Sequence, residues 1–169
     1  MAKSSKHTAQ EFYSLGESSY KQATVMEDRQ ESQIKINAAW GLAAGDFWMA
    51  LVLGSKNAPY SLYACFGQGL GVHQDDYIAN LMFGVALKLN DPKCQKGIKC
   101  KNLLNTMGPQ IDSLYKLIIQ TQFKIPDSGV DMSRVFTQMD IFDQAIKLPS
   151  GQTMTKCFIN NNNEATHDS

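Results

Sequence analysis

The sequence predicts an all-α fold, a short superhelix of antiparallel helix pairs closed by a C-terminal segment that does not repeat. Three observations carry this expectation. The chain repeats itself at a period of 36: Ala43, Phe47 and Ala50 are matched by Ala79, Phe83 and Ala86, and Gly54-x-x-x-Ala58 by Asn90-x-x-x-Cys94. Between Asp75 and Leu89 two rows are apolar, Ala79-Phe83-Ala86 and Ile78-Met82-Val85-Leu89, leaving Asp76, Asn80 and Lys88 as a narrow polar stripe. A helix apolar on two sides sits between layers, as in a stacked helical array. Finally, Gly, Asn and Pro fall between the periodic segments, where helices start and stop.

In chain order, residues 1–8 are polar and expected to be flexible. "AQEFYSLGESSYKQA" (9–23) spaces Phe12, Leu15, Ser19 and Tyr20 as one face of a first helix. A long apolar helix follows from about Gln33 to Leu53, with Gly54 as its C-terminal cap. Asn57 reads as an N-cap, and Pro59 suits a first helical turn because its missing N–H has no partner there. That helix runs to about Phe66 or Gly67. Asp75 caps the next one, which ends near Leu89 at "NDP". A further helix is predicted from about Lys93 to Asn105, a break at "TMGPQID", and another helix from Pro109 to about Gln122. Residues 123–158 read as a cap or docking segment. Within them Met132, Val135, Phe136, Met139, Phe142 and Ile146 share one helical face, and a hairpin around Pro149-Ser150-Gly151 or an extended arm follows. Residues 159–169 read as a disordered polar tail.

The chain has 169 residues, 43% hydrophobic and 19% charged, with Lys+Arg and Asp+Glu balanced at 16 each. One soluble domain of ordinary composition fits these values, and the absence of a basic excess argues against nucleic acid as a partner. "MAKSSKHTAQEFY" lacks an apolar h-region and does not read as a secretory signal. A cytoplasmic location is expected, with export by a specialised non-Sec system as the alternative. "AAWGLAAGDFWMALVLG" (38–54) is apolar, but it is at the lower length limit for a bilayer span and holds Asp46 at its middle. Membrane insertion is not expected.

At residues 58 to 86 the chain resembles the Sel-one-like repeats, relatives of the tetratricopeptide repeats. That pattern runs Ala, Leu-Gly four residues on, Tyr, Gly-x-Gly-Val, Asp, Ala, an aromatic and a closing Ala. Ala58, Leu62, Phe66 in the Tyr place, Gly69, Gly71, Val72, Asp75, Ala79, Phe83 and Ala86 fill it without a gap. Tyr63 stands where the family has Gly. "LLNTMGPQIDSLYKLI" (103–118) is similar to the helical end piece that follows the last such repeat, usually "MTPEQI", and "LGESSY" is a fainter match in the first helix. The resemblance thus covers about residues 9–122. It implies scaffolding or adaptor roles, commonly in bacterial signalling, envelope assembly or host contact. Secreted cysteine-rich members carry a regular cysteine pair in each repeat, which Cys65, Cys94, Cys100 and Cys157 do not form.

"FGQGLGVHQDDY" imitates a phosphate loop without its chemistry. After Gly71 come Val72 and His73, not the Lys-Ser/Thr that reaches phosphate and magnesium, and a helix rather than a strand precedes the glycines. A corner explains more: Gly67, Gly69 and Gly71 permit positive φ, Val72 plugs the turn, and Asp75 caps the next helix. His7, His73 and His167 have no second histidine or cysteine at i+3 or i+4, and no catalytic constellation, metal or cofactor is expected.

The function expected is therefore non-catalytic: a groove lined by the first helix of each pair, capturing a peptide or helix of a protein partner. On the helix from Ala58, packing takes Ala58, Leu62 and Phe66. Tyr60, Ser61 and Ala64 remain for the open face, with Tyr63 near its edge, and Tyr60 is the best anchor because aromatics dominate hot spots. The competing reading packs both tyrosines on the neighbouring pair. Two other function classes stand as alternatives, a small-molecule enzyme using the glycine corner near His73 and a membrane-associated protein using residues 38–54. Self-association is left open.

Overall fold

A computed structural model describes residues 5–94 and 98–158. The expected tail 159–169, His167 and the side chain of Cys100 lie outside the described residues. Those described form helices and no strand: α1 (Ala9–Asp28), α2 (Gln33–Val52), α3 (Ala58–Gln68), α4 (Asp76–Lys88), α5 (Ile98–Lys124), α6 (Met132–Ala145) and a short seventh helix at 154–158. Each of α1 to α4 packs on the helix that follows it.

Helix ends follow local chemistry. Thr8, Ser32, Asp75 and Asp131 cap α1, α2, α4 and α6 by accepting from the backbone N–H three residues on. At the other end, α2 closes with Ser55 N donating to Ala50 O and Gly54 N to Leu51 O, Gly54 being left-handed at φ +96. Asn90, at φ +58, closes α4 in the same way, with Asp91 N to Ala86 O and Asn90 N to Leu87 O. The Gly54–Asn90 match in the sequence is thus the same six-residue turn used twice. Asn57 departs from expectation. Its side chain makes no capping bond, and Ser55 Oγ accepts from Asn57 N and Ala58 N instead.

The glycine corner holds two of its three left-handed residues. Gly69 and Gly71 lie at φ +70 and +73, whereas Gly67 sits inside α3. Gly71 is also pressed against α2, where an added Cβ would stand 2.2 Å from Trp40 O.

Pro109 does not break the chain. A single α5 runs from Ile98 to Lys124 with the proline inside it. Asn105, whose carbonyl loses its N–H partner, is exposed and can be hydrated. Gly108 has no Cβ to clash with the proline ring, and Ile111, Leu114 and Ile118 are buried along the helix. The expected start near Lys93 is a turn.

The rows of the repeat differ in depth. Phe47 is 2% exposed, but its counterpart Phe83 is only partly buried. In the first pair Gly16 lies over Phe47, so close that a Cβ would stand 2.6 Å from the ring. In the second pair Tyr63 meets Phe83, ring centroids 4.9 Å apart. The bulk of Tyr63 where a glycine would allow close approach holds Phe83 partly out of the core.

Residues 125–158 fold back onto α2. Gln138 Nε2 donates to Val52 O, and Gln122 Nε2 to Gly54 O, so two glutamines satisfy carbonyls at the end of α2. Val135, Phe142 and Ile146 are buried as expected, but Phe136 is 58% exposed and Gln138 takes the inward position. Phe136 lies one residue, about 100° of helix, beyond Val135. The expected hairpin is a turn only: Gly151 N donates to Leu148 O, and a helix at 154–158 follows instead of a strand. Asp143 Oδ1 accepts from Thr155 N at 3.0 Å. The expected flexible start is tied down at His7, which exchanges backbone hydrogen bonds of 2.7 and 2.8 Å with Val130. Leu15, expected on the buried face of α1, is 48% exposed, while Tyr13, Gly16 and Ala23 are buried.

Candidate functional site

A groove of 230 Å³ lies between α1 and α3. Tyr13, Glu17, Tyr20 and Lys21 stand at i, i+4, i+7 and i+8 on one face of α1 and form one wall. Tyr60, Ser61 and Ala64 of α3 form the other, Phe47 of α2 is the floor, and Lys93 closes one end. Because Gly16 has no side chain, α1 settles onto Phe47 and turns its tyrosines toward α3. Tyr13 then tilts against Phe47 at 5.7 Å, and Tyr20 stands edge-on to Trp40 at 4.8 Å. Trp40 is fixed in turn by its indole N–H, which donates to Glu27 at 2.9 Å.

The electrostatics suit a largely apolar ligand with a polar edge. Burial pushes the Tyr20 phenol up, assisted by Cys65, Glu27 and Tyr60, so it remains a hydrogen-bond donor at neutral pH. The Lys93 ammonium lies 5.4 Å over the Tyr60 ring and 3.9 Å from the Asp91 carboxylate.

Three of the four site residues expected from sequence, Tyr60, Ser61 and Ala64, line this groove together. Tyr63 does not. It is held between Tyr60, at 5.5 Å, and Phe83, which makes it packing between α3 and α4. Of the repeat residues, Ala58, Leu62, Phe66, Val72, Ala79 and Ala86 are buried and Asp75 Oδ1 accepts from Ile78 N at 2.9 Å. The α1 wall, Phe47 and Lys93 were missed in the sequence; the Tyr13-Glu17-Tyr20-Lys21 spacing was the signal that could have found the wall.

His73 is exposed beside the corner. Among the described residues no group of three or more His, Cys, Asp or Glu side chains is arranged to hold a metal ion, and no helix is long and apolar enough to cross a membrane.

No family model matches the chain. No solved structure matches it either. It is similar to an uncharacterized protein of Rickettsia prowazekii (strain Madrid E), 26% identical over 105 residues. That stretch is 62% of this chain and 46% of the relative, so the match spans less than half the relative's length.

Proposed function

We propose that this chain is a non-catalytic interaction module that captures a peptide or helix of a protein partner in the α1–α3 groove. The observation that carries the proposal is the facing of Tyr60, Ser61 and Ala64 with Tyr13 and Tyr20 across a floor made by Phe47. Aromatic walls give large contact area at low entropic cost, and Ser61, Glu17, Lys21 and Lys93 supply polar groups at the edge. On the same reading the fold is a short superhelix of the Sel-one-like kind. Supporting that are the identical turns at Gly54 and Asn90 and the shared placing of Gly16 over Phe47 and Tyr63 over Phe83. The module works in the cytoplasm or after specialised export, and the Rickettsia relative is in keeping with a bacterial setting.

Panning a phage-displayed peptide library on the full chain tests this. Enriched peptides are expected to lose at least tenfold in affinity with Tyr60→Ala or Ala64→Arg, and to be indifferent to Leu42→Ala on exposed α2 surface. Peptides that bind equally well to Ala64→Arg would place recognition elsewhere.

A further inference from the structure

One stripe of α2 is left largely uncovered. Ile34, Ala38, Leu42, Gly45 and Met49 recur every three or four residues and lie along a single side of the helix. Ile34 is 77% exposed and Leu42 64%. Ala38 is exposed too, and nothing lies within 4 Å of the position a Gly45 Cβ would take. Lys35 and Asp46 border the stripe on one flank, about three turns apart. Asp46 is half-buried and burial raises its carboxyl, yet neither it nor the Lys35 ammonium has an ion partner among the described residues. The face is apolar along its middle and carries one unpaired charge of each sign at its edge.

The stripe is complementary to itself when turned end for end. An antiparallel second α2 crossing at Leu42 sets Leu42 against Leu42 of the second copy, Ala38 against its Gly45 and Ile34 against its Met49. The small pair on either side of the crossing lets the two backbones approach, and the large pair beyond it fills the ends. A two-fold rotation keeps each flank on its own side. Lys35 of each copy therefore meets Asp46 of the other with an offset of about 3 Å along the axis, which a lysine side chain spans. A parallel alignment would instead set Lys35 beside Lys35 and Asp46 beside Asp46. We propose that this face is a self-association surface, on which two copies of the chain pair their α2 helices antiparallel about Leu42. The chain carries no net charge to oppose that approach. From Ile34 to Met49 the contact is about 23 Å long, and one helix face of that length falls short of the roughly 800 Å² per partner of a standard interface. The dimer is accordingly weak and concentration-dependent. Leu42 stands about 140° around α2 from Phe47, so the groove and this face use different sides of the helix, and neither reading depends on the other.

Sedimentation velocity of the full chain, carried from micromolar to millimolar concentration, tests this. Wild type is expected to pass from monomer to dimer and to go no further. Leu42→Arg, Lys35→Glu and Asp46→Lys are each expected to weaken the dimer at least tenfold, and the double reversal Lys35→Glu/Asp46→Lys to restore it. A wild type that stays monomeric throughout, or a Leu42→Arg chain that dimerises as well as wild type, overturns the proposal. So does a double reversal of native circular dichroism that fails to recover the dimer. Should the Asp46→Lys chains lose their helical signal, disulfide crosslinking decides instead. Under mild oxidation Leu42→Cys is expected to link to its own copy well beyond the wild-type background, and Ile34→Cys to link to a Met49→Cys chain but not to itself. Background-level linking of Leu42→Cys, or Ile34→Cys linking to itself as readily as to Met49→Cys, overturns the antiparallel pairing.

Discussion

Phe47→Ala and Phe83→Ala are the same change at matched positions of the repeat, yet they are expected to differ severalfold in cost. Phe47 is 2% exposed, lies under Gly16 and touches Tyr13. Truncating such a ring removes its transfer energy and leaves a cavity between α1 and α2, about 3–5 kcal/mol together. Phe83 is already partly in water, and its ring contact is with Tyr63. An aromatic pair contributes about 0.5–1.5 kcal/mol beyond area burial; with the covered part of the ring added, a loss of about 1–2 kcal/mol is expected. Urea denaturation followed by circular dichroism, with the slope held common, measures both losses as midpoint shifts. At roughly 2–4 °C of melting temperature per kcal/mol for a chain of this size, heating separates them as well. Equal shifts, or a larger one at Phe83, would mean that Tyr63 does not hold that ring out, and the account of the second pair would fail with it.

Gly71→Ala is expected to destabilise by more than the roughly 1–2 kcal/mol of left-handed strain alone, because the new Cβ meets the Trp40 carbonyl at 2.2 Å; thermal melts against Gly69→Ala, where the nearest atom is 3.6 Å away, isolate the clash. Burial raises the Asp46 carboxyl from 3.8 to about 6. The folded state then holds the proton more tightly than the unfolded chain, so stability falls as pH rises from about 4 to about 6. The advantage of Asp46→Asn over wild type is expected to grow through that window and level off above it, as read from urea midpoints at each pH. Burial pushes the Cys65 thiol up to about 12 and, with Asp75 and Asp143 contributing, Cys157 up to about 11. Neither is expected to react with maleimide at neutral pH in the folded chain, and mass spectrometry of labelled peptides checks both.

Helix ends and corners were the most legible part of the sequence, because few residues tolerate the backbone they require. Gly54, Gly71, Asn90 and the Asp75 cap could each be named from local chemistry. Pro109 misled for the complementary reason. Proline costs are set by what else the helix gains, and α5 gains the burial of Ile111, Leu114 and Ile118. Gln138 was invisible as a core residue because its reason to be buried, the Val52 carbonyl, belongs to another helix. The groove was legible on its α3 side only. Turning Tyr13 and Tyr20 toward α3 depends on how Gly16 seats on Phe47, a contact between helices that no single-helix periodicity reports.

The paired backbones of His7 and Val130 tie the start of α1 to the loop before α6. During synthesis that bond has no partner until residue 130 has left the ribosome, so α1 emerges well before it is pinned. A chain released before residue 130 would therefore show its fault at the opposite end, as fraying and protease sensitivity around residue 7. Quality control acting on the edge around residue 7 would be reading whether the loop at residue 130 had been made.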